Sequence, residues 1–265
     1  MTDDQGYRLA NGPLRRIVSL VPSLTEAVAL SAPGALVGAT DWCTHPAGLQ
    51  VSRVRGTKNP DLDGIAELLP DLVIVNEEEN RPDDVVALRQ RGIAVWVTDI
   101  RTVDGALTSL GRLLDAIEAP HREWLDEARA AWRSPSPAGD QRLRAVVPIW
   151  RRPWMALGQD TYAGDVLARL GVDNVLVGDP QRYPRIDPSR LPRHDLVVLP
   201  DEPYQFGPDD GPEAFPDVPA ALVDGRSLTW YGPAMTAAPE RLVSAIRVAL
   251  DGPVRPHRRP EGETR

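Results

Sequence analysis

One cysteine, one lysine and two phenylalanines stand among 265 residues, and no apolar run approaches the roughly 18–20 residues that span a bilayer. Each shortage excludes something. The lone Cys43 forms no internal disulfide and cannot build a cysteine-rich zinc site. Basic side chains number 30 against 38 acidic, a formal charge of −8, and no basic run or aromatic-basic strip offsets the deficit. Nucleic acid is therefore not an expected partner, and membrane insertion is excluded as well. No Walker loop, dinucleotide fingerprint or nucleophile elbow is present. The opening residues carry acids at Asp3 and Asp4 and a Gly-Pro turn from Asn11 to Pro13, with no apolar stretch of an export signal. A cytoplasmic protein is expected, with export from an upstream start as the alternative. A lone thiol near His45 fits a reducing compartment.

What is present is globular in composition, 42% hydrophobic and 26% charged, and long enough for two lobes of roughly 100–130 residues each. Arg16-Ile-Val-Ser-Leu20 reads as a strand, followed by Ser23 and Glu26 at capping-box spacing ahead of a helix that Pro33-Gly34 ends. Strands follow at 35–39, 72–75 and 94–97, with helices opened by Asp61 and Pro82 between them. Alternating strands and helices imply a parallel sheet covered on both faces. From Thr102 to Trp132 apolar positions hold one helical phase, predicting a helix of about 46 Å at ~1.5 Å per residue. Pro120 argues for a kink or break near its middle.

A Ser134–Gly139 linker leads into a second α/β segment, with strands at 145–149, near 174–177, at 195–199 and at 221–224, and a capped helix over 160–170. The segment mirrors the first. Asp71-Leu-Val-Ile-Val-Asn-Glu-Glu78 lies 124 residues before Asp195-Leu-Val-Val-Leu-Pro-Asp-Glu202, each a buried strand ending in two acids. The expected domains are thus 14–101, a linking helix over 102–133, 140–250, and a fraying Pro-, Arg- and Glu-rich tail over 251–265.

Ligands of open parallel sheets bind at the carboxyl ends of strands. The loops there hold Trp42, Cys43, His45, Lys58, Asn59 and Glu77–Glu79 in the first lobe. In the second they hold Trp150, Trp154, Tyr162, Asp201, Glu202, Tyr204, Phe206, Trp230 and Tyr231. Aromatics and acids gathered in strand-end loops point to a ligand face in one cleft. The competing reading is that loop tryptophans plug gaps above the sheet and that the acids are a solvated run. Arginine outnumbers lysine 29 to 1, which marks out Lys58. Cys43 and His45 supply two metal donors at most, so no metal site and no catalytic residue is assigned.

Arg16–Glu26, the Gly38–Pro46 strand and loop, Leu69-Pro-Asp-Leu-Val-Ile-Val75 and the long helix together resemble the helical-backbone metal receptor family. These are the cobalamin- and siderophore-type substrate-binding proteins of ABC importers, and the resemblance covers roughly residues 14–250. It implies two Rossmann-like lobes with parallel sheets joined by one backbone helix, as in class III periplasmic binding proteins. It also implies a ligand held between lobes that move little, with Trp42, Trp154, Tyr204 and Trp230 among its contacts.

The expected function is a soluble, monomeric binding protein for a metal chelate, with a corrinoid preferred as ligand and no tightly bound cofactor. Ferric catecholates are polyanionic, and the acids at 77–79 and 201–202 would repel them, although Arg151 and Arg152 blur that argument. An importer permease is the partner if the chain is exported. The alternative is an enzyme using the same acids, with Lys58, for acid–base work on a small substrate.

Overall fold

The computed structural model describes residues 1–9 and 12–252. Asn11 of the expected turn and residues 253–265 of the expected tail lie outside them. The chain forms two units, Met1–Ala130 with Tyr231–Thr236, and Ala131–Trp230 with the chain from Ala237. Tyr231–Thr236 was expected with the second lobe and belongs with the first.

In the first unit β1 (Ile17–Ser19), α1 (Pro22–Ser31), β2 (Leu36–Ala39) and the short β3 (Ser52–Arg53), β4 (Arg55–Gly56) and β5 (Asn59–Pro60) come first. They are followed by α2 (Leu62–Glu67), β6 (Leu72–Asn76), α3 (Pro82–Gln90) and β7 (Val95–Thr98). Five strands form one parallel sheet in the order β3-β2-β1-β6-β7, and β4 and β5 make a separate antiparallel hairpin. Val73 and Val75 of β6 pack with Val18, Leu20, Ile65 and Leu88. Leu72 and Ile74, which alternate to the opposite face, are also fully buried. A strand without an exposed face reads as an unbroken apolar run, and this is why β6 is plain in the sequence.

Two local expectations are corrected. Helix α1 opens at Pro22, with Val21 as a cap that makes no side-chain bond. Proline at the first helical position needs no N–H partner, so Ser23 falls inside the first turn, where it is buried. The long helix is two helices, α4 (Val103–Ala116) and α5 (Glu123–Arg133). They are parted at Glu118, which takes a left-handed φ of 48°, and at Pro120, which cannot continue the hydrogen-bond ladder. The unit boundary falls within α5. Asp3 and Asp4 fasten the first residues to β7 and α4. The Asp3 carboxylate accepts the Val97 N–H at 3.0 Å, and that of Asp4 accepts the Asp99 N–H at 2.9 Å and the Ser109 hydroxyl at 2.7 Å.

The second unit contains β8 (Leu143–Val146), β9 (Pro148–Arg151), β10 (Trp154–Ala156), α6 (Tyr162–Arg169), β11 (Val172–Asn174) and β12 (Leu196–Pro200). These are followed by β13 (Ala220–Val223), α7 (Gly225–Thr229) and α8 (Ala238–Asp251). Its parallel sheet runs β11-β8-β12-β13, the same winding as β2-β1-β6-β7. The likeness extends to single bonds. Asp71 donates its N–H to Arg16 O at 2.7 Å and accepts the N–H groups of Arg15 and Arg16 at 2.8 Å. Asp195 donates to Arg144 O at 2.7 Å and accepts the Arg144 N–H at 2.8 Å. The strand expected near 174–177 ends instead at Asn174, whose carboxamide donates to Leu157 O and Gly158 O at 2.9 Å and accepts the Leu176 N–H. Side-chain bonds of this kind take the place of ladder bonds and stop a strand.

Candidate functional site

The acids at the end of β6 sit on a turn held by two asparagines. Asn76 is buried. It donates to Thr98 O and Oγ1 at 3.1 Å and accepts the N–H groups of Glu78 and Glu79 at 2.9 and 3.2 Å. Asn80, also buried, accepts the Asn76 N–H at 2.8 Å and donates to Thr57 O at 3.0 Å, which ties the turn to the β4–β5 hairpin. Both asparagines were missed in the sequence. Their i, i+4 placement around three glutamates was the available signal, since a buried carboxamide can accept from a turn and donate outward at once.

The three glutamates are not equivalent. Glu77 is exposed and pairs with Arg101 at 3.2 Å. Glu78 is half-buried, and burial raises its carboxyl above the usual range against the opposing charges of Arg101 and Lys58. Glu79 is pushed up to about 7, chiefly by burial, with the Glu78 charge adding to the rise, while the hydroxyl of Tyr231 and the charge of Lys58 oppose it. Tyr231 is buried and donates to Glu79 Oε1 at 3.1 Å. Lys58, exposed at the tip of the hairpin, donates to Glu78 O at 2.8 Å. Asn59 is exposed beside it, and its Oδ1 lies where a Cβ on Gly56 would come within 2.5 Å.

Trp42 is 68% exposed and offers a flat apolar face. His45 is half-buried, with Nδ1 3.2 Å from Thr44 Oγ1. Cys43 turns the other way: it is fully buried, with the hydroxyls of Thr25 and Thr40 at 3.0 and 3.1 Å from its sulfur, and burial raises its thiol. Cys43 was expected beside Trp42 on the ligand face; the loop packs its small side chain inward and leaves Trp42 outside. Among the described residues no group of three or more His, Cys, Asp or Glu side chains is placed to hold a metal ion.

In the second unit the aromatics form a layer above β12. Phe206 is buried with Phe215 against Val197 and Leu199, and Trp154 and Tyr204 pack on that cluster. Trp154 stacks on Phe206 with centroids 5.8 Å apart and 7° between planes, and meets Phe215 edge-on at 5.5 Å. Trp150, 41% exposed, stands edge-on to Tyr204 at 5.6 Å. Phe206 therefore plugs the gap above the sheet, whereas Trp150, Trp154 and Tyr204 keep exposed surface. Arg151 lies over Trp154 at 5.3 Å and is paired with both Asp210 and Glu213. Tyr204 donates to Asp210 at 2.7 Å.

Tyr162 is buried, its hydroxyl pushed above its ordinary range by burial and 3.4 Å from Trp230 O. Asp201 is exposed and accepts the Gly225 N–H at 2.6 Å. Glu202 and Trp230 are half-buried and bonded to each other, the indole N–H donating to Oε2 at 3.0 Å.

No family model matches the chain. Among curated proteins it is similar to the vitamin B12-binding protein of Vibrio cholerae, 25% identical over 185 residues, which is 66% of this chain and 65% of that protein. The Vibrio campbellii vitamin B12-binding protein is 26% identical over 188 residues, 67% of this chain and 66% of that one. The chain thus spans about two thirds of the length of these relatives. Among solved structures, the periplasmic vitamin B12-binding protein BtuF of Vibrio cholerae matches with a TM-score of 0.69 at 19% identity, over 91% of this chain and 99% of that one. The chain shares the fold of periplasmic vitamin B12- and heme-binding proteins. RhuT, a periplasmic heme-binding protein from Roseiflexus sp. RS-1, matches at 0.73 with 18% identity, over 90% and 99% of the two chains. CeuE of Helicobacter pylori matches at 0.77 with 15% identity, over 95% and 87%. The resemblance carried by 16–26 and 69–75, and the two-lobed parallel α/β class it implies, are borne out. Among the described residues no helix is long and apolar enough to cross a membrane.

Proposed function

We propose that the protein binds a corrinoid of the cobalamin type at its strand-end loops. The observation that carries this reading is the pairing of Arg151. Arg151 is held by Asp210 and Glu213 with its face on Trp154, so its charge is already matched by two carboxylates, and the exposed Arg152 is the cation left near Tyr204. Acids line the β6 and β12 ends as well. A ligand with several free carboxylates or catecholates would meet repulsion there, whereas a large amide-rich chelate without net negative charge finds aromatic faces and hydrogen-bond acceptors. Sequence similarity to vitamin B12-binding proteins supports the same choice.

The acid–base alternative loses support. Lys58 is exposed and bonded to a backbone carbonyl rather than set against apolar walls. Spectral titration with cyanocobalamin, dicyanocobinamide, hemin and a ferric catecholate tests the proposal. Saturable corrinoid binding in the micromolar range or tighter is expected, with weaker hemin binding, and no corrinoid binding at high micromolar concentration would overturn it. An importer permease is the partner in this reading if cell fractionation finds the chain exported.

A further inference from the structure

Trp230 is held from four sides within the second unit. Its indole N–H donates to Glu202 Oε2 at 3.0 Å. The Arg226 guanidinium stands 4.7 Å from its ring centroid, and its own N–H donates to Arg226 O at 3.0 Å. Its carbonyl receives the buried Tyr162 hydroxyl at 3.4 Å. The acid is fixed in turn. The 201–202 turn lies so close on α7 that a Cβ on Gly225 would come within 2.6 Å of Glu202 N and 2.7 Å of Glu202 Cβ, and Asp201 ties down the Gly225 N–H.

We propose that Glu202 is a positioning residue: it fixes the plane of the Trp230 indole toward the ligand. The inference rests on the corrinoid-binding reading for what Trp230 touches, but the positioning is a property of the chain alone. An indole on a single-bonded stem swings about two torsions, and a carboxylate on its only donor, with a cation on one face, removes most of that freedom before the ligand arrives. Less ordering is then left for binding to supply.

The test reads the indole directly. In an ¹⁵N spectrum of the full chain, the signal absent from Trp230→Phe identifies Trp230 among the seven indoles. That signal should shift with pH as Glu202 titrates. The other charges about Glu202 are Asp201, Asp224 and Arg226, so Asp201→Asn and Asp224→Asn serve as controls that keep the shift. Glu202→Gln, which is neutral but retains an acceptor oxygen, should hold the signal near its low-pH position without titration, and Glu202→Ala should move it outside the range the unaltered protein covers. In cyanocobalamin titration Glu202→Ala should weaken binding about tenfold, as loss of one charge-assisted bond allows, and Glu202→Gln should weaken it less than about threefold, since the neutral bond that remains is the weaker kind. Glu202→Ala with Trp230→Ala should bind no more weakly than Trp230→Ala alone. An indole signal indifferent to Glu202→Ala, or losses that add in the double variant, would overturn the proposal. If the unaltered protein binds no corrinoid, the ligand reading falls, and the spectrum alone decides whether Glu202 positions Trp230.

Discussion

The hydroxyl of Tyr231 donates to Glu79 at 3.1 Å across 152 positions of the chain, and both residues lie in the first unit. A buried carboxyl that stays partly neutral near pH 7 is therefore bonded to the segment of chain that reaches this unit last.

The first prediction follows from the sign of that shift. Glu79 moves from 4.5 up to about 7 in the folded protein, so the folded state holds the proton more tightly than the unfolded one. Its contribution to stability is fully present below about pH 4.5 and is lost as the pH rises through about 7. Urea denaturation at pH 5.5 and pH 8 should show a smaller loss of stability across that interval in Glu79→Gln than in the unaltered protein. An equal loss in both would place the titration elsewhere.

Tyr231→Phe removes the one hydroxyl that opposes the rise at Glu79. Stability should fall by about 1–2 kcal/mol at pH 8, where an ionised buried carboxylate loses its donor, and by less at pH 5.5. Thermal melts at the two pH values measure the difference, and Tyr231→Phe should cost little more once Glu79→Gln is present.

Asp71 and Asp195 perform one task in the two units, but Asp71 accepts two backbone N–H groups and Asp195 accepts one. Asp71→Ala should destabilise by about 1–3 kcal/mol and Asp195→Ala by roughly half as much. Equal effects would mean that the second bond of Asp71 contributes nothing.

Releasing Arg151 should change ligand choice. Asp210→Asn with Glu213→Gln removes both partners of its guanidinium and frees it for an anionic group. Hemin affinity should rise by about tenfold, in the range of one new charge-assisted pair. Hemin titration of the double variant is the check, and unchanged affinity would show that the pairing does not set selectivity.

Much of the fold was legible because burial on both faces writes itself as Leu-Val-Ile-Val and Leu-Val-Val-Leu, and because an aspartate precedes each run. Pro120 likewise marked the helix break. The two-residue strands β3–β5 were not legible, since two residues carry no period. Site residues divided by direction rather than by type. Trp42 and Cys43 are neighbours, one 68% exposed and one fully buried, and composition cannot tell them apart. Tyr204 and Phe206 were read as one ligand face, whereas packing on Phe215 makes the second a core residue. The Glu79–Tyr231 bond was out of reach because sequence order assigns Tyr231 to the second half.

The placement of Tyr231–Thr236 in the first unit has a consequence for biosynthesis. A ribosome that has added Ala130 has made nearly all of that unit, yet the partner of Glu79 is still about 100 codons away, some 5–20 s at ~5–20 residues per second. During that interval the β6 turn stands open to water with its carboxyl unbonded. The N-terminal unit is begun first yet completed only after most of the second has been made, so a chain that stops just before residue 231 should leave both units unfinished.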